Sequence, residues 1–122
     1  CYGWLKPNGE VQDSYTSCKN LFTIMNDPGG RFAPDKLAYT ITGTTANVYY
    51  TLLQKRNGHF FLCIWVATYD NASRAITINL PGTITNARVN SPYNNTSFTT
   101  VPISGNKINF TVNGYVSIFE LW

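Results

Sequence analysis

The chain has few charged residues for its length, and this scarcity excludes one large class of function. Only 12% of its 122 residues are charged, and nine basic and six acidic side chains give a net charge of +3. The basic residues are scattered singly and form no stripe, whereas nucleic-acid-binding surfaces need clustered Lys and Arg. We therefore expect no nucleic-acid partner.

Histidine and cysteine are also scarce, which argues against metal chemistry. There is one histidine and there are three cysteines, without a CxxC motif or a His/Cys cluster, so we expect no zinc site and no cofactor. A structural calcium ion near Asp70 stays open but unsupported. Cys63 stands in an apolar run and is predicted to be a small buried hydrophobe. Cys1 and Cys18 pair only if the N-terminal segment folds back on the helix that follows, and this too stays open.

Long apolar runs are missing as well. The longest, Phe60 to Ala67, is far too short to cross a membrane, so we expect no membrane partner. Thr, Asn, Ser and Gly supply most of the polarity, and aromatic residues make up 15% of the chain. This composition is typical of one secreted all-β domain. No signal peptide precedes Cys1, so we expect an excised domain.

The clearest local signal is a β-hairpin over Val48 to Ala67. Two apolar runs rich in aromatic and branched residues flank the polar segment Gln54 to Gly58, in which Arg56-Asn57-Gly58 provides a turn. The second run is apolar on both faces, so the hairpin should be central to its sheet. Phe61 and Trp65 then either pack under another layer or form a surface for a ligand.

One helix is predicted, beginning at Asp13 and ending before Asp27-Pro28-Gly29-Gly30. Apolar residues recur at helical spacing, and Asp13 or Ser14 is expected to cap the N-terminus. Phe22 and Met25 are expected to bury against the sheet. The apolar stripe consists of Tyr15, Cys18, Leu21, Phe22 and Met25.

Eight strands at intervals of 8 to 12 residues predict a two-sheet β-sandwich, jelly-roll or immunoglobulin-like, with one short N-terminal helix. Besides the hairpin, the predicted strands are 37–42, 75–80, a weaker one at 84–90, one beginning at Val101 and Ile103, 108–112 and 116–121.

The order of several motifs resembles the C-terminal all-β domain of bacterial TIM-barrel glycoside hydrolases, a domain like a carbohydrate-binding module. The motifs are 21–27 (LFTIMND), Phe32-Ala33-Pro34, 37–43 (LAYTITG), and the hairpin 52–58 (LLQKRNG) followed by a strand that ends at Trp65. The resemblance implies that residues 1–30 are the tail of a covalently linked catalytic domain and that 31–122 form the sandwich. It transfers no catalytic carboxylate, because those belong to the barrel.

Catalysis by this chain alone is not expected. Glycoside hydrolysis needs two facing carboxylates, and the six acids do not fall as a pair on one strand face. Asp13, Asp27 and Asp35 occupy cap or turn positions. His59 directly follows the hairpin turn and is expected to be an exposed residue at the start of a strand.

Sugar binding is the sharper hypothesis. Sugars present C–H faces to aromatic rings and hydroxyl groups to amide and charged side chains. We expect β-linked glycans such as cellulose or xylan to bind by stacking. The candidate residues are Tyr49, Trp65, Tyr69 and Tyr93, with Asn71, Arg74 and Asn95 as polar neighbours.

The alternative is a structural sandwich that docks on a glycoside hydrolase barrel and stabilises it without binding sugar. Tyr2, Trp4, Leu5 and Phe22 would then form half of an interface between domains. The two hypotheses predict different surfaces. A glycan binder needs an aromatic strip open to water, whereas a scaffold needs an apolar patch that includes the N-terminal segment.

Overall fold

A computed structural model describes residues 5–69 and 72–122 of the chain. Within these ranges it contains one helix and eight strands. They are α1 (Asp13–Met25), β1 (Thr40–Gly43), β2 (Val48–Gln54), β3 (Phe60–Val66), β4 (Arg74–Asn79), β5 (Ala87–Asn90), β6 (Thr99–Thr100), β7 (Lys107–Val112) and β8 (Ser117–Leu121).

The strands form two antiparallel sheets, in agreement with the predicted β-sandwich. The smaller sheet has the order β1-β4-β7, and the larger has the order β2-β3-β8-β5-β6. The predicted hairpin is β2 and β3, whose register pairs Val48 with Val66 and Gln54 with Phe60. Since β3 also pairs with β8, it is an inner strand, as its two apolar faces predicted.

The main core lies between the two sheets and follows from the alternation of side chains along the strands. Ile76 and Ile78 of β4 and Ile108 of β7 face Leu62 and Ile64 of β3, and each is at most 3% exposed. One side of the predicted strand 37–42 also packs against this core. Its residues are Leu37, Tyr39 and Ile41.

Helix α1 covers the other face of the larger sheet and creates a second, smaller core. Ile24 is 6% exposed and packs with Phe61, Cys63 and Ile118 of β3 and β8. Leu21, Met25, Phe98 and Val116 pack around this group. Phe61 and Cys63 therefore lie under another layer, and the predicted burial of Cys63 is confirmed.

The hairpin turn has the geometry that its sequence favours. Gly58 takes a left-handed φ of 86°, its N–H donates to the Lys55 carbonyl at 2.9 Å, and Lys55 N–H donates to the His59 carbonyl at 3.0 Å. Only glycine adopts this φ at low cost. The Lys55 ammonium then bonds the Ile24 carbonyl in the last turn of α1, so the turn also holds the helix on the sheet.

Two predictions about α1 are wrong. The N-cap residue is Gln12, and its side chain makes no capping hydrogen bond, so neither Asp13 nor Ser14 caps the helix. Phe22 does not bury against the sheet but is 70% exposed. The buried side of the helix is instead centred on Ile24, with Leu21 and Met25 half-buried beside it, because the sheet offers Phe61 and Ile118 there.

The strand boundaries also differ from the prediction in three places. The first strand begins at Thr40 rather than Leu37, and the weak strand predicted from Ile84 begins only at Ala87. Ile84 N–H instead donates to the Pro81 carbonyl at 3.1 Å, which makes a turn. The strand predicted at Val101 and Ile103 is a two-residue strand at Thr99–Thr100.

In the described ranges, no helix is both long enough and apolar enough to span a lipid bilayer.

Candidate functional site

Four aromatic residues, Tyr49, Trp65, Tyr93 and Tyr115, lie toward one end of the larger sheet, and we refer to them as the aromatic row. Tyr49 is paired with Trp65 across β2 and β3. Ile64 pairs with Ser117, so Tyr115 lies beyond the paired part of β8, toward Trp65. Tyr93 follows β5 at the same end. Tyr49 and Trp65 thus lie in β2 and β3, whereas Tyr115 and Tyr93 lie in the segments before β8 and after β5, at the same end of the strand order β2-β3-β8-β5.

Tyr49 and Trp65 form the first pair in the row. Their ring centroids are 6.2 Å apart, and the ring planes differ by only 22°. Tyr49 is 53% exposed, while Trp65 is half-buried. Two nearly parallel rings on one sheet face are the kind of apolar surface on which the C–H face of a sugar stacks.

Tyr93 and Tyr115 form the second pair. Their ring centroids are 4.2 Å apart at 31°, and each residue is about 40% exposed (Tyr93 40%, Tyr115 42%). A hydrogen bond with Tyr115 raises the pKa of Tyr93. Each ring therefore has one face against its partner.

The other predicted sugar contacts are placed differently. Tyr69 is fully exposed in the loop after β3, and Asn71 lies outside the described residues, as do Asp70 and Cys1. Asn95 Oδ1 accepts hydrogen bonds from Ser97 N–H at 2.8 Å and from Asn90 at 3.2 Å, so it shapes its own loop.

Arg74 also has intramolecular partners. Its Nε donates to the Ala46 carbonyl at 3.2 Å, and its Nη1 donates to the Ser73 carbonyl at 3.0 Å. The guanidinium group thus ties the start of β4 to the loop before β2. Of the predicted polar neighbours, neither Arg74 nor Asn95 has its whole hydrogen-bonding capacity available for a ligand.

A second apolar surface lies on α1 and the segment before it, and we call it the helix patch. It consists of Leu5, Val11, Tyr15 and Phe22, which are 54%, 53%, 39% and 70% exposed. Leu5 and Val11 form an isolated β-bridge, and Tyr15 and Phe22 are two helical turns apart on the same side of α1. A groove of about 650 Å³ runs along this side, between Tyr15 and Asn26.

A buried cluster around one carboxylate, Glu120, lies at the opposite end of the larger sheet. Sequence reasoning did not reveal it. Glu120 is 3% exposed; its Oε1 lies 2.7 Å from His59 Nδ1, and its Oε2 accepts a hydrogen bond from Arg88 Nε. His59 stacks on Trp122 with centroids 4.9 Å apart. His59 is therefore half-buried and partnered, not the exposed residue that we expected. The sequence does contain a sign that Glu120 is buried, because apolar residues flank it in the last strand.

The electrostatics of this cluster favour the ionised carboxylate. Burial by itself disfavours the charge on Glu120, but hydrogen bonds and charge interactions with Arg88 and His59 outweigh it, so the pKa lies below its ordinary value. Within the described part of the chain, Glu120 thus has two cationic or hydrogen-bonding partners and is not paired with a second carboxylate. In residues 5–69 and 72–122, no group of three or more His, Cys, Asp or Glu side chains is placed to hold a metal ion.

Comparison with known proteins gives no family assignment. No protein-family model matches the sequence, and no curated protein matches it with significance.

Proposed function

We propose that the chain is a non-catalytic β-sandwich domain of a secreted polysaccharide-degrading enzyme, and that the helix patch docks on the covalently linked catalytic domain. The resemblance to C-terminal domains of glycoside hydrolases suggests the partner. The observation that carries the docking role is that α1 has apolar residues on two sides and the sheet covers only one of them.

The energetics support an interface on this side of α1. A helix that is apolar on more than one side is normally placed between two layers. Leu21 and Ile24 already meet the sheet, whereas Phe22 leaves 70% of its surface in water. Burying a Phe side chain contributes about 1.5 to 3 kcal/mol. Leu5 and Val11 are also exposed, in the segment directly before α1, whereas Tyr2 and Trp4 of the predicted interface lie outside the described residues.

The docking role is tested by Phe22→Ser in the protein that joins this chain to its catalytic domain. We expect the unfolding temperature of the catalytic domain to fall by several degrees, while the isolated chain keeps its stability because Phe22 is exposed. Calorimetry on both proteins measures this. Ile24→Ala is the contrasting variant, because it opens the second core and should cost the isolated chain about 2 to 4 kcal/mol.

Tyr69→Ser is the matched control, since Tyr69 is a fully exposed aromatic residue outside the patch. If Phe22→Ser changes the joined protein no more than Tyr69→Ser does, the helix patch is not the docking surface.

Glycan binding is a second candidate, and the Tyr49–Trp65 pair favours it. The pair presents nearly parallel rings on one sheet face, and Tyr49 is 53% exposed. Stacking on two rings would give weak binding, with dissociation constants on the order of micromolar to millimolar. Because stacking involves no ion pair, retention should depend little on salt.

Tyr49→Ala tests this candidate. We expect it to weaken retention on cellulose or xylan in affinity gels about tenfold, and to lower the free energy of unfolding by only about 0.2 to 1 kcal/mol through loss of the cross-strand pair with Trp65. Tyr50→Ala is a close control, because Tyr50 is 52% exposed on the opposite face of the same strand. Equal retention of the two variants and the parent chain on every polymer would remove the candidate.

A further inference from the structure

Strand β2 is an outer strand of the larger sheet, and its backbone is open on one side. Its neighbour in the sheet is β3. Alternate residues of an antiparallel strand bond the same neighbour. The Asn47 carbonyl accepts a hydrogen bond from Ala67 N–H at 2.9 Å. Lys55 N–H donates to the His59 carbonyl at 3.0 Å, so the odd-numbered residues of β2 bond β3. The backbone groups of the even-numbered residues therefore point away from the sheet.

Two of these even-numbered residues, Tyr50 and Leu52, have unpaired backbone groups. Within residues 5–69 and 72–122, neither their N–H groups nor their carbonyls take part in a hydrogen bond. Side chains of the same strand are also open to water, since Tyr49, Tyr50 and Leu53 are 53%, 52% and 47% exposed. An extended strand along this edge would satisfy the backbone groups and cover apolar surface at the same time.

The other outer strands have features that prevent such pairing, and β2 has none of them. Short length, charge and proline keep exposed edges from pairing with other chains. Among the strands that the structure describes, β1 has four residues, β6 has two, and β7 begins with the charged Lys107. β2 has seven residues, and its sequence VYYTLLQ contains neither a charge nor a proline. Its register with β3 is continuous, without a bulge.

The chemistry of β2 fits a second copy of the same strand. Each copy has the same unpaired N–H and carbonyl groups, so two copies related by a two-fold axis satisfy each other. Because β2 is uncharged, no like charges meet across such a pair. Asp35 N–H donates to Gln54 Oε1 at 2.6 Å, which places the segment before β1 next to the Gln54 end of the strand. We therefore expect the axis beside Tyr50, away from that end.

We propose that the chain forms a two-fold dimer in which β2 pairs antiparallel with β2 of a second copy, so that two five-stranded sheets join into one. With the axis beside Tyr50, the Tyr50 N–H of each copy donates to the Tyr50 carbonyl of the other, and Leu52 N–H donates to the Val48 carbonyl of the other. One strand pair buries less surface than a stable dimer does, so the dissociation constant should be on the order of 100 µM. The dimer uses no residue of the helix patch and does not rest on the proposed function.

The test is sedimentation velocity of the chain with a thiol reductant, at total concentrations from about 10 µM to about 1 mM, combined with amide hydrogen exchange at both limits. We expect a reversible equilibrium between monomer and dimer. The Tyr50 and Leu52 amides should exchange about fourfold more slowly at the higher concentration, because only the monomer leaves them open. A chain that stays monomeric over this whole range would overturn the proposal. Dimers in which these two amides exchange equally fast at both limits would place the contact on another surface, such as the helix patch, and would also overturn it.

Two exposed threonines in outer strands provide a matched pair of variants. Thr51 lies in β2 beside the expected axis, and Thr111 lies in β7, an outer strand of the other sheet. Thr51→Lys places two like charges close together across the axis and should weaken the dimer about tenfold, and less at high salt. Thr111→Lys adds the same charge away from β2 and should leave the dissociation constant unchanged. Equal dissociation constants for the two variants would contradict the proposal.

Discussion

At the scale of single residues, Glu120 shows how an apparently misplaced charge is accommodated. It stands between Phe119 and Leu121, both fully buried, but the alternation of β8 turns its side chain to the opposite face of the sheet. There Arg88 and His59 bond both carboxylate oxygens. A buried carboxylate needs such partners, because without them the cost of desolvation would favour the neutral form.

The first prediction concerns the pH dependence of stability. The pKa of Glu120 is lower in the folded chain than in the unfolded chain, so its contribution is complete above the unfolded value and is lost as the pH falls through the folded value. Glu120→Gln should lower the free energy of unfolding by about 1 to 3 kcal/mol at pH 7. The difference between the variant and the parent chain should shrink as urea denaturation is repeated from pH 5 toward pH 3. A difference independent of pH would contradict this.

At the scale of elements, the turns at the ends of β1 and β2 fix how the strands pair. Gly43 ends β1 with φ of 96°, and a Cβ atom there would lie 2.7 Å from the Ala75 carbonyl oxygen of the neighbouring strand. Gly58 in the hairpin turn also has a positive φ, but a Cβ atom would meet nothing within 4 Å. A side chain at Gly58 would therefore cause backbone strain alone, whereas a side chain at Gly43 would cause backbone strain and a steric clash.

The second prediction follows from this difference. Gly58→Ala should cost about 1 kcal/mol through backbone strain alone. Gly43→Ala should cost about 2 kcal/mol or more, because the methyl group also displaces the β4 backbone. Chemical denaturation of the two variants measures both values. If both cost the same, the close approach of β1 to β4 is not tight in solution.

At the scale of the whole molecule, strand β3 of the larger sheet packs against both of the other layers, the smaller sheet and α1. β3 contributes Leu62 and Ile64 to the core between the sheets, and Phe61 and Cys63 to the core under α1. Burial raises the pKa of the Cys63 thiol to about 11. The reactivity of this thiol therefore shows whether α1 covers the sheet.

The third prediction uses that thiol. In a Cys1→Ser variant at pH 8, Cys63 should react with a thiol reagent far more slowly than Cys18, because it is 6% exposed and its raised pKa lowers the thiolate fraction by roughly 100-fold. Stopped labelling followed by peptide mass spectrometry distinguishes the two sites. Ile24→Ala, added to the Cys1→Ser variant, should accelerate the reaction of Cys63 alone. Equal rates for Cys18 and Cys63 in Cys1→Ser itself would mean that α1 does not cover the sheet.

The sequence by itself determined the class of fold, the hairpin and most of the core. Alternation in 75–80 and 108–112 placed Ile76, Ile78 and Ile108 inside, because a strand in a sandwich must hide one face and a shift of one residue would expose it. The two apolar faces of β3 likewise predicted an inner strand.

The tertiary structure alone decided which surfaces stay open. Phe22 and Leu21 are neighbours in one apolar stripe, and only the position of α1 on the sheet makes Leu21 half-buried and Phe22 exposed. The approach of Tyr93 to Tyr115, and of His59 and Arg88 to Glu120, depends on strands distant in sequence. Local periodicity encodes which side of an element is apolar, but the register between elements determines what that side meets.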